Sequence, residues 1–146
     1  MNNYQHNMLR NTNEFITIPF DLYENRIVIE GAIANKKVRL LLDSGSESAI
    51  ISSKLPDKIL DKITIVGRTQ VSGIGSKGID VLRGNLKSLQ IGNHAIGEMP
   101  VLVANLEKSC LSGQFGICFD GVIGLDYLSV KRIAFNFINR KMYIWK

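Results

Sequence analysis

The chain has 146 residues, 45% of them hydrophobic, with 18 basic against 13 acidic side chains and a net charge of +5. That length fits one domain, and that apolar fraction is enough to build a core, which excludes a disordered chain. The apolar runs are three or four residues long, far short of the about 20 needed to span a bilayer, and the basic residues are scattered without interleaved aromatics, which speaks for a solvated basic surface and against nucleic-acid binding.

The opening stretch "MNNYQHNMLRNTNEF" is polar and rich in Asn. It reads as a loose arm over residues 1–14, with the domain proper at 15–146. No charged-then-apolar leader is present, and the compartment stays open, cytoplasmic or exported after loss of a signal peptide. "FITIPFDL" then alternates apolar and polar residues, with Pro19 marking an edge position. "RIVIEGAI" and "VRLLL" follow as a hairpin pair, Ile27–Ile33 and Val38–Leu42, joined by Ala34-Asn35-Lys36. Leu40 to Leu42 is apolar on both faces, as a central strand requires.

After Ile51, "SSKLPDKIL" offers Ser52 or Ser53 as an N-cap and a short helical turn to Leu60. Four apolar patches come next, at Ile63–Val66, Ile79–Leu82, Leu86–Ile91 and Val101–Val103, and Gly92-Asn93 reads as a tight hairpin turn. "KSCLSGQFGICF", Lys108 to Phe119, reads as a loop or a short irregular helix. "DGVIGLDYLS" starts as a strand and continues as a helix after Gly124, and the end folds back on itself around Ile138-Asn139-Arg140. The expected architecture is all-β with one or two short helices.

Against that background, Asp43 stands out, because it places a carboxylate at the end of a core strand. Asp-Ser-Gly is also a good turn sequence, in which the Asp side chain bonds a nearby backbone N–H and does no chemistry. Context separates the two readings. "LLDSGSESAIIS", with "DGVIGLDYL" some eighty residues later, resembles the retropepsin-like aspartic proteases, and most closely their bacterial single-lobe relatives. Leu41-Leu42-Asp43-Ser44-Gly45 followed by Ala49-Ile50-Ile51 matches the family's active loop, and Val122-Ile123-Gly124 matches its second signature. The resemblance runs from about Ile18 to Trp145.

The resemblance implies a closed retropepsin-like acid protease barrel and an aspartic endopeptidase that activates water with two carboxylates sharing one proton. Like charges that close cannot both ionise cheaply, so their apparent pKa values separate. This chain has one Asp-Ser-Gly, and Asp120 and Asp126 lack the hydroxyl–glycine pair that follows Asp43. The second carboxylate is therefore expected from Asp43 of another copy, in a homodimer acting on a peptide or protein substrate, with no metal or organic cofactor.

By the same resemblance Ser44 ties the two active loops together, Gly45 lets backbone approach the carboxylates, and Gly124 leaves room behind the loop. Ser46, Glu47 and Ser48 fall where substrate backbone is contacted. Ser46, where many retropepsins carry Ala, is expected to donate a further hydrogen bond to Asp43 and favour an acidic optimum. Ile74, Gly75 and Ser76 fall at the tip of the flap that closes over bound peptide. The terminal strands with Tyr143 and Trp145 would help build the dimer contact. The alternative is a catalytically weak or inactive dimerisation or peptide-binding module of the same fold.

Other chemistries are weaker. "GIGSKG", Gly73 to Gly78, fits G-x-G-x-x-G by letter, but a strand follows where the dinucleotide fingerprint needs a helix. Ser44 or Ser46 as a nucleophile would need His94, which sits in a surface hairpin without a Gly-x-Ser-x-Gly elbow. Cys110 with His94 is equally thin, and Cys110 and Cys118 read as two reduced thiols or one loop disulfide. Glu47 as a glycosidase partner to Asp43 lies only a turn away. Two cysteines and two histidines supply neither a disulfide framework nor a structural zinc set.

Overall fold

The computed structural model describes residues 14–71, 79–106 and 118–145. Eleven strands and two one-turn helices make up the elements of this region. The strands are β1 (Phe15–Pro19), β2 (Asp21–Tyr23), β3 (Arg26–Ile33), β4 (Lys36–Leu42), β5 (Ile50–Ser52), β6 (Ile63–Val71), β7 (Ile79–Ile91), β8 (His94–Ala104), β9 (Gly121–Ile123), β10 (Ile133–Asn136) and β11 (Lys141–Trp145). The helices are α1 (Asp57–Leu60) and α2 (Leu125–Leu128).

The larger sheet runs β2-β3-β4-β9-β5-β8-β7-β6, and β7 also pairs back onto β3 through Gly31↔Ile91, Ala32↔Gln90 and Ile33↔Leu89. Strands β3, β4, β9, β5, β8 and β7 thus close into a ring, the barrel expected from the sequence, with β2 and β6 on its rim. The smaller sheet, β1-β11-β10, lies outside that ring in pairing order.

Neighbouring residues on the central strands face different cores. Leu40, Ile51 and Ile123 belong to the main cluster with Ile18, Ile29, Ile33, Leu86, Leu89, Ile91 and Met142. Leu41, Ile50 and Val122 turn to the other side and pack with Val28, Val81, Leu106 and Phe119. This explains the unbroken apolar runs, since strands covered on both faces cannot alternate. Each of these buried aliphatic side chains is worth about 1.5–3 kcal/mol relative to exposure.

Hairpin turns set the registers. Ala34 and Asn35 have φ of 52° and 62°, and Gly92 and Asn93 have 55° and 69°. Both residues of each turn lie in the left-handed region, the two-residue geometry that matches strand twist. Glu24 and Asn25, at 51° and 64°, repeat it between β2 and β3.

Two local expectations change. Ser52 is not a helix cap but the buried last residue of β5, and α1 begins after Pro56, whose fixed φ suits a helix entrance. Ile79–Leu82 and Leu86–Ile91 are one long strand, β7, whose register slips against β8 between Leu86 and Leu89. Cys118 is disulfide-bonded. Cys110, most of the Lys108–Phe119 stretch, the residue 1–13 part of the expected arm and the expected flap tip Ile74–Ser76 lie outside the described residues.

Leu40→Ala is expected to lower stability by about 2–5 kcal/mol, because Leu40 is fully buried in the ring. Val66→Ala, at a half-exposed β6 position, should stay within about 0.5 kcal/mol. Urea unfolding of both variants checks the contrast.

Candidate active site

The segment from Asp43 to Ala49 joins β4 to β5, yet these strands are not neighbours. β9 lies between them, parallel to β4 through Leu40↔Gly121, Leu41↔Val122 and Leu42↔Ile123, and antiparallel to β5. The segment is therefore an arch over the end of β9, and the chain leaving β9 must pass beneath it. Gly124 is the first residue to do so. A Cβ there would lie 2.5 Å from the Ser48 carbonyl oxygen and 2.7 Å from that of Ser46, closer than any side chain tolerates. Gly124 is needed for this approach, since its φ of −100° is ordinary.

Backbone hydrogen bonds bind the arch to what passes under it. The Asp43 N–H donates to the Ile123 carbonyl at 3.0 Å, the Leu125 N–H to the Ser46 carbonyl at 2.7 Å, and the Asp126 N–H to the Glu47 carbonyl at 3.1 Å. The Asp126 carboxylate then reaches back: Oδ1 accepts from the Tyr127 N–H at 2.9 Å, and Oδ2 from the Ala49 N–H at 3.4 Å. Asp126 thus clasps the far foot of the arch. Its sequence signal was a carboxylate in the first turn after the Val-Ile-Gly motif, a place where an acidic side chain can meet open backbone N–H groups.

At the other end of β9, Asp120 performs a similar service. The Arg39 N–H donates to its Oδ2 at 2.8 Å, its own N–H donates to the Arg39 carbonyl at 2.9 Å, and its carbonyl accepts from the Ser52 N–H at 2.8 Å. Both acidic residues near the second signature are therefore engaged with backbone. Sequence reading weighed them only as potential partners of Asp43.

Asp43 itself is half-buried at the near foot of the arch. Its Oδ1 accepts from the Gly45 N–H at 2.8 Å, and the Ser46 N–H donates to its carbonyl at 3.1 Å. A Cβ at position 45 would sit 3.1 Å from that same Oδ1, so any side chain there presses on the carboxylate. The turn bond anticipated for a purely structural Asp is present, and it points the carboxylate at the surface rather than into the core.

Ser44 and Glu47 are exposed, and Ser46 and Ser48 half-buried, all on the same arch. Ser46 behaves differently from the expectation. Its hydroxyl donates to the Ser48 carbonyl at 2.8 Å. A hydroxyl has one hydrogen, so Ser46 has none left for Asp43 in this arrangement, and the acidic shift expected from that bond loses its donor. His94 is the exposed first residue of β8, beyond the turn that pairs it with Ile91. Among the described residues no group of three or more His, Cys, Asp or Glu side chains has the arrangement to hold a metal ion.

Behind the arch, Tyr127 of α2 is buried, which pushes its phenol above the ordinary value of 10.0, and Lys131 Nζ lies 5.7 Å from the ring centroid. The folded chain holds that proton more tightly than the unfolded one. The contribution is complete below about pH 10 and is lost as pH rises through the folded value. Thermal melts from pH 8 upward should fall less steeply for Tyr127→Phe than for the wild type. Gly124→Ala should lose more than about 1–3 kcal/mol by forcing the arch open, whereas Asp126→Ala should cost about 1–3 kcal/mol, chiefly through the released Ala49 amide, since the Tyr127 N–H also donates to the Gly124 carbonyl at 3.2 Å; urea unfolding ranks them.

The description "Aspartyl protease" belongs to a family model that matches residues 29–127, from the middle of β3 to α2 and so across the whole arch. No curated protein matches the chain. Among solved structures, a retropepsin-like aspartic protease from Rickettsia conorii superposes with a TM-score of 0.53 at 16% identity, covering 89% of each chain. The retroviral protease-like domain of Ddi1 from Leishmania major gives 0.49 at 15% identity over 84% of each chain. With more than half of its length matched by the family model and its barrel shared with the first of these structures, the chain belongs to the aspartyl protease family and has the retropepsin-like fold.

Proposed function

We propose that the chain is an aspartic endopeptidase that works as a homodimer, with Asp43 of each subunit forming the carboxylate pair. The observation that carries this reading is the placement of Asp43: a half-buried carboxylate on a stiff arch, with Oδ1 oriented by the Gly45 N–H at 2.8 Å. Asp126 beneath the arch and Asp120 at the other end of β9 are held by backbone N–H groups, and Glu47 on the arch is exposed. A pair built from two arches needs a second subunit.

In such a pair one proton is shared, because two adjacent negative charges cannot both persist cheaply. The ionised carboxylate takes a proton from a water molecule, whose oxygen attacks the scissile carbonyl carbon. The protonated carboxyl hydrogen-bonds the carbonyl oxygen as negative charge develops there. Collapse of the tetrahedral intermediate breaks the C–N bond, and the departing nitrogen takes up the proton. Neither a metal nor an organic cofactor enters these steps.

The arch also has the polarity to hold an extended peptide. The carbonyls of Ser46 and Glu47 are turned inward and occupied by the Leu125 and Asp126 N–H groups. The Gly45 carbonyl and the N–H groups of Glu47 and Ser48 have no partner among the described residues. Those groups are complementary to a strand laid across the arch, the mode by which peptides add to open backbone. Ser44 is exposed with its hydroxyl likewise unengaged among the described residues, and suited to bond the facing arch. By resemblance to the family, Ile74, Gly75 and Ser76, outside the described residues, would contact the bound peptide.

A peptide-library digest read by mass spectrometry between acidic and neutral pH should yield cleavage that drops at least ~100-fold in Asp43→Asn, the scale of a lost acid–base group. Cleavage that survives the substitution would remove Asp43 from the chemistry, and binding without cleavage in the wild type would leave a peptide-binding module. The shared pair has a second signature. Equimolar wild type and Asp43→Asn, allowed to exchange subunits, should retain about one quarter of full activity, against about one half for self-sufficient subunits.

A further inference from the structure

The basic residues, scattered over most of the chain, gather at its end. From Tyr127 to Lys146 there are five, Lys131, Arg132, Arg140, Lys141 and Lys146, and no acidic residue. The rest of the chain balances at 13 of each sign, so the whole net charge of +5 lies in this last stretch. Lys131, Arg132 and Arg140 are exposed and Lys141 is half-buried. None of these four takes part in an ion pair among the described residues, where Lys37 and Glu30 form the one pair.

The same stretch carries the most exposed of the large apolar side chains among the described residues. Ile138 is 98% exposed and Phe137 56% exposed, both in the turn between β10 and β11. That turn is not loose. The Asn136 side-chain oxygen accepts from the Ile138 N–H at 3.0 Å and from the Asn139 N–H at 3.3 Å. The Arg140 carbonyl accepts from the Phe20 N–H at 3.0 Å. Phe137 stacks on Phe135 with centroids 6.0 Å apart, and both meet the buried Phe20 edge-on. The fold thus holds an apolar tip out in solvent, with Arg140 and Lys141 at its base.

An exposed apolar group rimmed by polar residues marks a contact site, and the chemistry of this one selects the partner. Nucleic acid asks for aromatic faces on which bases can stack. Here the two phenylalanine rings lie against each other, and the outermost side chain, Ile138, has no such face. A peptide asks for a groove or an open strand edge, whereas a side chain so exposed at the end of a hairpin is convex. An anionic bilayer surface meets both halves of the tip. Its headgroups attract cations, and the acyl boundary beneath them takes up apolar side chains that project further. The tip stands at the end of the hairpin, so it can be occupied whether or not a second copy pairs along the strands.

We infer that the β10–β11 turn is an anchor to anionic phospholipid surfaces, in which Phe137 and Ile138 enter the headgroup boundary while Arg140 and Lys141 hold the headgroups. Lys131 and Arg132 add to the attraction from the other end of β10. The one-sided charge turns the tip toward the membrane during approach. Neither the carboxylate pair nor peptide cleavage enters this contact.

Co-sedimentation with vesicles tests the anchor. The protein should pellet with phosphatidylcholine vesicles containing about one third phosphatidylserine, and stay in solution with phosphatidylcholine alone. Raising salt from about 0.05 M to about 0.5 M should weaken binding at least ~tenfold, because the attraction is screened. Ile138→Ser should weaken it about tenfold through lost apolar burial. Arg140→Gln together with Lys141→Gln should weaken it about 25-fold, or about fivefold for each cation. Two controls should change it less than about twofold. Lys58→Gln with Lys62→Gln removes the same charge from exposed positions elsewhere, and Val66→Ser removes an apolar side chain as exposed as Phe137. Thermal melts verify the fold of each variant, and Ile138→Ser changes a side chain that is almost wholly in solvent.

A protein that ignores both kinds of vesicle overturns the inference. So does binding that Ile138→Ser leaves untouched, or that falls as far in the Lys58 and Lys62 control as in the tip pair, since either describes a general attraction of cations. A single-stranded oligonucleotide bound through the tip in place of vesicles overturns it in favour of nucleic acid. A solution dimer dispersed by the tip variants, without vesicle binding, overturns it in favour of a second copy. Tip-dependent vesicle binding by a protein that cleaves no peptide at any pH supports the anchor and removes the proteolytic reading instead.

Discussion

The passage of the chain beneath its own arch at Gly124 is the constraint on which the rest depends. β9 occupies the gap between β4 and β5, so the loop that joins those strands has no choice but to bridge it. Three backbone N–H bonds and one carboxylate clasp then turn the bridge into a stiff platform. Stiffness would serve the proposed chemistry, because a carboxylate held in place beforehand avoids an ordering cost at each turnover. The strands beneath supply rigidity through two apolar clusters, one on each face of the same three strands.

Much of this was readable in the residues. Leu40-Leu41-Leu42 announced a strand covered on both sides, and it is the central β4. Asn35 and Gly92-Asn93 announced tight hairpins, because these residue types tolerate the left-handed backbone such turns demand. The arch and Gly124 were placed by two short motifs whose spacing, some eighty residues, is too long for any periodic signal. Hydrogen-bond direction was not legible. Ser46 sits beside Asp43 in sequence, but its hydroxyl follows the local geometry of the arch to Ser48. Asp126 and Asp120 lacked the hydroxyl–glycine signature, so their work as clasps emerged only when β9 was seen to lie between β4 and β5. The pairing order of the terminal strands was illegible for a similar reason. Nothing in "KMYIW" distinguishes a middle strand from an edge, because that depends on where "FITIP" lands.

Charge plays a small part inside the domain and a larger one around it. The one ion pair among the described residues, Lys37 with Glu30 at 3.6 Å, is highly exposed on both sides, and pairs of that kind contribute ~1 kcal/mol or less. The acidic groups that matter near the arch bind backbone amides, which are fixed by the fold and do not wander as long cationic side chains do. The platform is therefore insensitive to salt in a way that a network of surface ion pairs would not be.

The order of the strands also has a temporal meaning. β4 and the arch belong to the first third of the chain, and the strand that supports them lies about eighty residues further on. During synthesis, Asp43 leaves the ribosome long before β9 and α2 exist to brace it. Contacts so distant along the chain form late, after the entropy of closing a long loop has been overcome. A nascent polypeptide of this sequence carries the acidic residue but not its mounting, and so ripens only when nearly all of the domain has emerged.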